Sequence, residues 1–240
     1  MQLDSFDETF SLTDNNNINI FYHLFTINDY SDRFNRTYKK ITDSGLIQNI
    51  NLIHLNVVGP NQLEAKDLFK TYDKVKCYHG TNHKNESETL NLMRQFCIDN
   101  PYGYSLYLHS KGVNRQNDPE ITVKEGLQDW IDCMEYFLIE KYENCLNILK
   151  YKVNNTCGIG YIDANSCGVN LGGYHYSGNF WWVNNKYLAT TKPCKDEYMY
   201  CELEFLFSGE QHKPFEVHKP RIQYPQWFHE RYKREEYEVH

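Results

Sequence analysis

The chain has 240 residues, a formal net charge of −7 and 15% aromatic residues, including 20 Tyr and 13 Phe. That length holds one large α/β domain with a sizeable core. The acidic balance excludes a general nucleic-acid footprint, and the aromatic content excludes a disordered chain even at a mean hydropathy of −0.72. The eight cysteines (Cys77, Cys97, Cys133, Cys145, Cys157, Cys167, Cys194 and Cys201) show neither a CxxC pair nor zinc spacing, so free thiols are expected. No apolar leader and no run of about 20 apolar residues is present, which predicts a cytoplasmic protein without a transmembrane segment.

Residues 1–17 are polar and read as a tail. INIFYHLFTI at 18–27 is dense in Ile, Phe and Tyr and predicts a first strand. Asn28, Asp29, Ser31 and Asp32 then open a helix over 31–43, closed by Gly45. A second strand (50–59), a second helix (62–72), a short strand (75–80) and a helix (87–98) with Leu90, Met93 and Cys97 on one stripe follow. The strand at 104–108 runs into the turn His109-Ser110-Lys111-Gly112. Such alternation predicts βαβ units in a mainly parallel sheet, with ligands at the carboxyl ends of the strands. The loop after 27 and the turn at 109–112 therefore belong on one edge. A long packing helix is expected over 121–150, then a strand at 157–163 ending in Asp163, a Gly-rich stretch to Gly173, and HYSGNFWW. Helical patterns around 184–190 and 198–207 carry Glu202 and Glu204, and the segment from 213 reads as a mixed-charge extension. The domain organisation expected is thus a tail (1–17), one domain (18–212) in two halves (18–118 and 119–212), and an extension (213–240).

The blocks YHLFTIND, ESETLNLM, YLHSKGV, QDWIDCMEYFLIEK, HYSGNFWWVNNKYL and CELEFLF, in this order over about 20–208, resemble a group of small GT-A type glycosyltransferases found in bacterial polysaccharide clusters and large DNA viruses. The resemblance implies a Rossmann-like α/β domain, a nucleotide-sugar donor with UDP-sugars as the default, a glycan or other hydroxyl acceptor, and a cytoplasmic location, in the host if viral. Many GT-A enzymes hold Mn2+ or Mg2+ with a DxD turn. The matching turn here is His109-Ser110-Lys111, without carboxylates, which leaves a metal open and offers Lys111 as the counter-charge to the diphosphate.

Donor contacts are expected from Thr26, Asn28, Asp29, Glu88, His109, Ser110, Lys111 and Gly112. Helix capping accounts equally well for Asn28 and Asp29, and dipole complementation for Glu88. His175, Ser177, Gly178 and Asn179 are candidates for reading sugar hydroxyls, with Trp181 or Trp182 stacked on a pyranose and the other ring in the core. Asp163 is placed near the donor sugar, a turn-forming Asp being its alternative. For an inverting enzyme, Glu204 is the chosen base and Glu202 the second choice, since two residues on a helix diverge by about 200°. A nucleotidyltransferase and a non-catalytic carbohydrate-binding module stand as the other readings.

Overall fold

The structure, a computed structural model, describes residues 17–80, 85–115, 118–162, 174–195, 204–223 and 225–238. Its strands are β1 (Ile18–Phe25), β2 (Leu52–Val58), β3 (Val75–His79), β4 (Tyr104–His109), β5 (Thr156–Ile159), β6 (Tyr161–Ile162), β7 (His175–Tyr176), β8 (Trp181–Asn184) and β9 (Pro214–His218). The α-helices are α1 (Tyr30–Asp43), α2 (Leu46–Asn49), α3 (Gln62–Phe69), α4 (Ser87–Asp99), α5 (Lys124–Glu135), α6 (Tyr142–Tyr151) and α7 (Asn185–Leu188). One sheet runs β3-β2-β1-β4-β8-β5-β9, with only β8 antiparallel to its neighbours, and β6 and β7 form a separate small ribbon. The mainly parallel α/β architecture expected from the sequence is the one observed.

Both faces of this sheet are covered, so β1 and β2 are buried along almost their whole length. On one face, Ile20, Leu24, Leu55, Val57, Leu106 and Trp182 meet Phe34 and Ile41 of α1, Phe69 of α3, and the inward residues of α5 and α6. On the other, Phe21, Tyr107, Trp181 and Val183 meet Leu90, Met93 and Cys97 of α4 together with Tyr187 and Leu188 of α7. The order explains the split. From β1 the chain steps outward to β2 and β3, so α1 and α3 share a face; it must then return across the sheet to reach β4, which puts α4 on the other.

Three segments differ from the sequence expectation. The helix expected over 121–150 is α5 and α6 separated by a π turn, Tyr136–Glu140, in which the Lys141 N–H reaches back five residues to the Tyr136 carbonyl at 2.9 Å. The strand expected over 157–163 breaks at Gly160, whose φ of 58° interrupts the extended run between β5 and β6. The segment from 213, an extension that could cover the body or fray, is built into the body. β9 pairs with β5 at the sheet edge, and Trp227, Phe228, Tyr232 and Tyr237 are buried in the core of the α5 face. Cys77, Cys97, Cys133, Cys145, Cys157 and Cys194 are free thiols.

Candidate active site at the carboxyl edge of the sheet

The strand order reverses between β1 and β4, the place where open parallel sheets leave a crevice for ligands. His23 of β1 and His109 of β4 are register partners there. The predicted meeting of the loop after β1 with the turn after β4 is therefore realised, and several of the expected donor residues turn out to build it. The Ser110 N–H donates to the His23 carbonyl and the Ser110 hydroxyl accepts from the Phe25 N–H, each at 2.9 Å. The Thr26 hydroxyl donates to the Val58 carbonyl and accepts from the Asn61 N–H, both at 2.9 Å. The Asn28 side chain, on a residue with φ of 52°, donates to the Val113 carbonyl. Thr26, Asn28 and Ser110 thus tie the ends of β1, β2 and β4 together. Gly112, at φ 87°, packs on Leu127 and belongs to the same scaffold.

Three blocks of sequence converge beside this scaffold. The turn Ser177–Asn179, with Gly178 and Asn179 at positive φ, lies over His109. His109 Nε2 donates to the Gly178 carbonyl at 3.0 Å, since a carbonyl only accepts. The Asn179 amide donates to Glu86 Oε2 at 2.7 Å, and the Tyr107 hydroxyl donates to the same oxygen at 2.6 Å. Glu86 Oε1 faces His109 Nδ1 at 3.6 Å. Burial pushes the His109 pKa down to about 4, against the opposing pull of Glu86. Burial disfavours the Glu86 anion, yet the potential of His109 and His23, the Tyr107 hydroxyl and the Lys111 ammonium together hold its carboxyl below the usual range. Near neutral pH two acceptors, a carboxylate oxygen and a bare imidazole nitrogen, consequently face one spot. Such a spot takes an N–H or O–H donor.

Glu86 is the residue that sequence reasoning missed. It lies in the ESETLNLM block but just ahead of α4, whereas Glu88, chosen instead, has Oε2 at 2.6 Å from the point a Cβ on Gly80 would occupy, at the end of β3. Trp181 and Trp182 are the second correction. Both are fully buried on β8, Trp182 donating to the Leu138 carbonyl and Trp181 to Asn179 Oδ1, each at 2.8 Å. Neither ring offers a face to a sugar; Trp181 instead stacks on Tyr107 at 5.0 Å and orients Asn179. His175 and Ser177 are buried around the β7 end, and Glu204 is exposed beside the buried Phe205 and Leu206. Asp163 and Glu202 lie outside the described residues.

On the α1 and α5 side of the same edge a cleft of about 400 Å³ opens, lined by Arg33, Arg36, Lys111, Arg115 and Lys124 with only Asp29 and Asp118 as acids. Asp29 stands at the start of α1 without a side-chain capping bond. Two of the cations have acidic neighbours, Arg33 the buried Glu135 at 3.2 Å and Arg115 the partly exposed Asp118 at 3.0 Å. Arg36 meets Gln128 at 3.5 Å, and Lys124 has no ion-pair partner among the described residues. In an acidic protein this concave surface carries a surplus of positive charge, the arrangement that concentrates anions. A metal fits less well. His109 Nδ1 and Glu86 Oε1 are two donor atoms beside a lysine, and no group of three His, Cys, Asp or Glu at ligand spacing occurs among the described residues.

A family model described as a domain of unknown function, DUF8361, matches residues 21–196. The chain belongs to the DUF8361 family. The DUF8361 match spans β1 to the end of α7 and thereby every residue of the Glu86–His109–Asn179 cluster, but it stops before β9 and the buried C-terminal aromatics. No curated protein matches the chain. A crystal structure of 4-diphosphocytidyl-2C-methyl-D-erythritol synthase from Anaerococcus prevotii aligns over 88% of this chain and 93% of its own at 14% identity, with a TM-score of 0.42. A superposition that loose says nothing about activity. No helix among the described residues is long and apolar enough to cross a membrane.

Proposed function

We propose that this DUF8361 protein is a glycosyltransferase that takes a nucleotide-sugar, a UDP-sugar first, and transfers the sugar to a hydroxyl of a glycan or similar acceptor. The observation that carries the reading is the cation-rich cleft at the strand-order reversal, with Lys111 common to it and to the polar cluster: Lys111 lines the cleft, and its charge acts on both Glu86 and His109. In this reading the diphosphate lies in the cleft and the sugar hydroxyls meet the acceptor pair Glu86 Oε1 and His109 Nδ1. As the C1–O bond to the diphosphate breaks and a C1–O bond to the acceptor forms, charge grows on the leaving oxygen, and the Lys111 ammonium offsets it. The acceptor's proton goes to a carboxylate. Glu86, held ionised and already accepting two hydrogen bonds, is a weak base; exposed Glu204 keeps that role, for an inverting reaction. No step is routed through a metal.

A thermal-shift screen of the full chain against UDP, GDP, TDP, CMP and their sugars, with and without Mn2+, tests this. The expected result is stabilisation by one nucleotide class, lost in Lys111→Ala, together with a transfer rate lowered in Glu204→Gln at unchanged donor affinity. No shift with any nucleotide would return the chain to the carbohydrate-binding reading, and release of pyrophosphate rather than a nucleoside diphosphate would mark a nucleotidyltransferase.

A further inference from the structure

The cations of the cleft rest on aromatic rings, and those rings lead to the C-terminal segment. Lys111 Nζ stands 4.7 Å from the centre of the Trp130 ring. Trp130 in turn stacks on Trp227 at 5.4 Å with 15° between the planes. The Arg115 guanidinium stands 5.0 Å from the centre of the Phe228 ring. The helix that carries Trp130 is shaped to receive this turn. A Cβ on Gly126 would lie 2.5 Å from both the Trp227 and Glu230 carbonyl oxygens, so this helical position is confined to glycine despite its poor helix propensity. Hydrogen bonds fix the register: the Thr122 and Val123 N–H groups donate to the Phe228 carbonyl, and Asp129 accepts from Arg231 and from the Tyr232 N–H. Trp227, Phe228, Glu230, Arg231 and Tyr232 lie beyond the residues matched by the DUF8361 model, whereas the cations and the helix that receive them lie within it.

We infer that the C-terminal turn around Trp227 and Phe228 is a working part of the anion cleft, holding Lys111 (through Trp130) and Arg115 at the positions from which they meet a diphosphate. Phe228 and Trp227 are positioning residues, since Phe228 touches Arg115 and Trp227 touches Trp130 beneath Lys111, and both act on the ligand only through those cations. The inference rests on the reading of the cleft as a diphosphate site, and the ring contacts add a physical reason for it. Two long cationic side chains held against ring faces lose less freedom on binding than two that swing in water.

The test measures the affinity of the full chain for inorganic pyrophosphate and for UDP by calorimetry, with the melting temperature recorded alongside. Phe228→Leu keeps apolar volume but removes the ring under Arg115. It is expected to weaken pyrophosphate binding roughly three- to tenfold, the size of one cation–π contact, and Phe228→Tyr is expected to restore it. In an Arg115→Ala background the same Phe228→Leu change should have no further effect, because the contact it breaks is already gone. Equal weakening in both backgrounds would make Phe228 a structural residue and overturn the inference, as would wild-type affinity in Phe228→Leu. Should that variant not fold, Asp129→Asn frees the turn from the surface of α5 and is expected to weaken pyrophosphate binding in the same direction; unchanged affinity there overturns the inference as well. A wild-type chain that binds neither UDP nor pyrophosphate would sink the cleft reading itself, and the inference with it.

Discussion

The two faces of the central sheet are built from alternate residues of the same strands, yet they are chemically unlike. Toward α1 and α5, β1 presents Ile18, Ile20, Tyr22 and Leu24 and β2 presents Ile53, Leu55 and Val57. Toward α4, the same strands present Asn19, Phe21 and His23, and His54 and Asn56. The polar groups are paired: His54 donates from Nε2 to Asn19 and accepts at Nδ1 from the Tyr78 hydroxyl, while Thr89 Oγ1 lies 2.8 Å from His23 Nδ1 and accepts from Asn56 at 2.9 Å. Paired groups of this kind contribute little net stability and cost much if left unmade. The aliphatic face accordingly holds the fold together, and the polar face is a hydrogen-bonded network that rises along β1 and β4 into the Glu86–His109 pair.

If that division is right, damage to the aliphatic face should unfold the protein without touching the site. Phe34→Ala removes a ring buried between α1 and α3 and is expected to cost about 3–5 kcal/mol in denaturant unfolding. Folded protein, where it persists, should bind UDP with wild-type affinity. A lowered affinity in the folded fraction would show that the two faces are coupled.

Acid should act on the polar face through its histidines, and on the other face through the buried Glu135 and through His218, whose pKa values are also lowered. Burial lowers the pKa of His54 and of His109 to about 4 from an ordinary 6.5. Between those values the unfolded chain binds more protons than the folded one, so the stability present above pH 6.5 is lost as pH falls toward 4. Each histidine accounts for at most about 3 kcal/mol of that loss. Glu86, with its carboxyl below the usual range, adds a loss of the same sign at lower pH. The melting temperature should therefore fall steadily from pH 7.5 to 5.0, and by the same amount in Phe34→Ala as in wild type. A flat profile would mean that these imidazoles are less buried than the structure has them.

Glu86→Gln probes the top of the polar face at constant size. The amide keeps one hydrogen-bond acceptor but loses the charge that strengthens the bonds from Tyr107 and Asn179, a loss of about 1.5–3 kcal/mol. Transfer, or donor affinity where transfer is not yet assayed, should fall with it. Wild-type behaviour in both would remove Glu86 from the site.

What the sequence revealed of this arrangement follows from local chemistry. β1, β2, α1, α3 and α4 announce themselves because each carries a strong period or propensity, and β2, α1 and α4 also end at a Gly, Asn or Asp. β8 does not. Four residues with a tryptophan on each face show no polar–apolar alternation, and beside Ser177, Gly178 and Asn179 the indoles look like a sugar platform rather than a strand buried on both sides. β9 is masked in the same way by its Pro214 start and its flanking charges. The meeting of the His109 turn with the Ser177–Asn179 turn was not legible, since it depends on β8 lying beside β4. Glu86 differs from Glu88 only by which side of the first turn of α4 it occupies, and no local signal separates two glutamates on either side of a helix start.

The finest test uses the adjacent tryptophans, because β8 sends one to each face and each donates a single 2.8 Å hydrogen bond. Trp181→Phe and Trp182→Phe both keep a ring and lose that bond, so each should cost on the order of 1 kcal/mol plus a small cavity. Their effects on the site should differ. Trp182 bonds the Leu138 carbonyl in the apolar core, and its loss should leave ligand affinity as it was. Trp181 holds Asn179 Oδ1 and so fixes which way the amide presents its N–H to Glu86; without it the amide is free to turn, and affinity for the intact nucleotide-sugar should drop while affinity for the bare nucleotide diphosphate, which lies in the cation cleft, stays. Equal effects of the two substitutions on nucleotide-sugar binding would erase the distinction between the faces at the strand where it is sharpest.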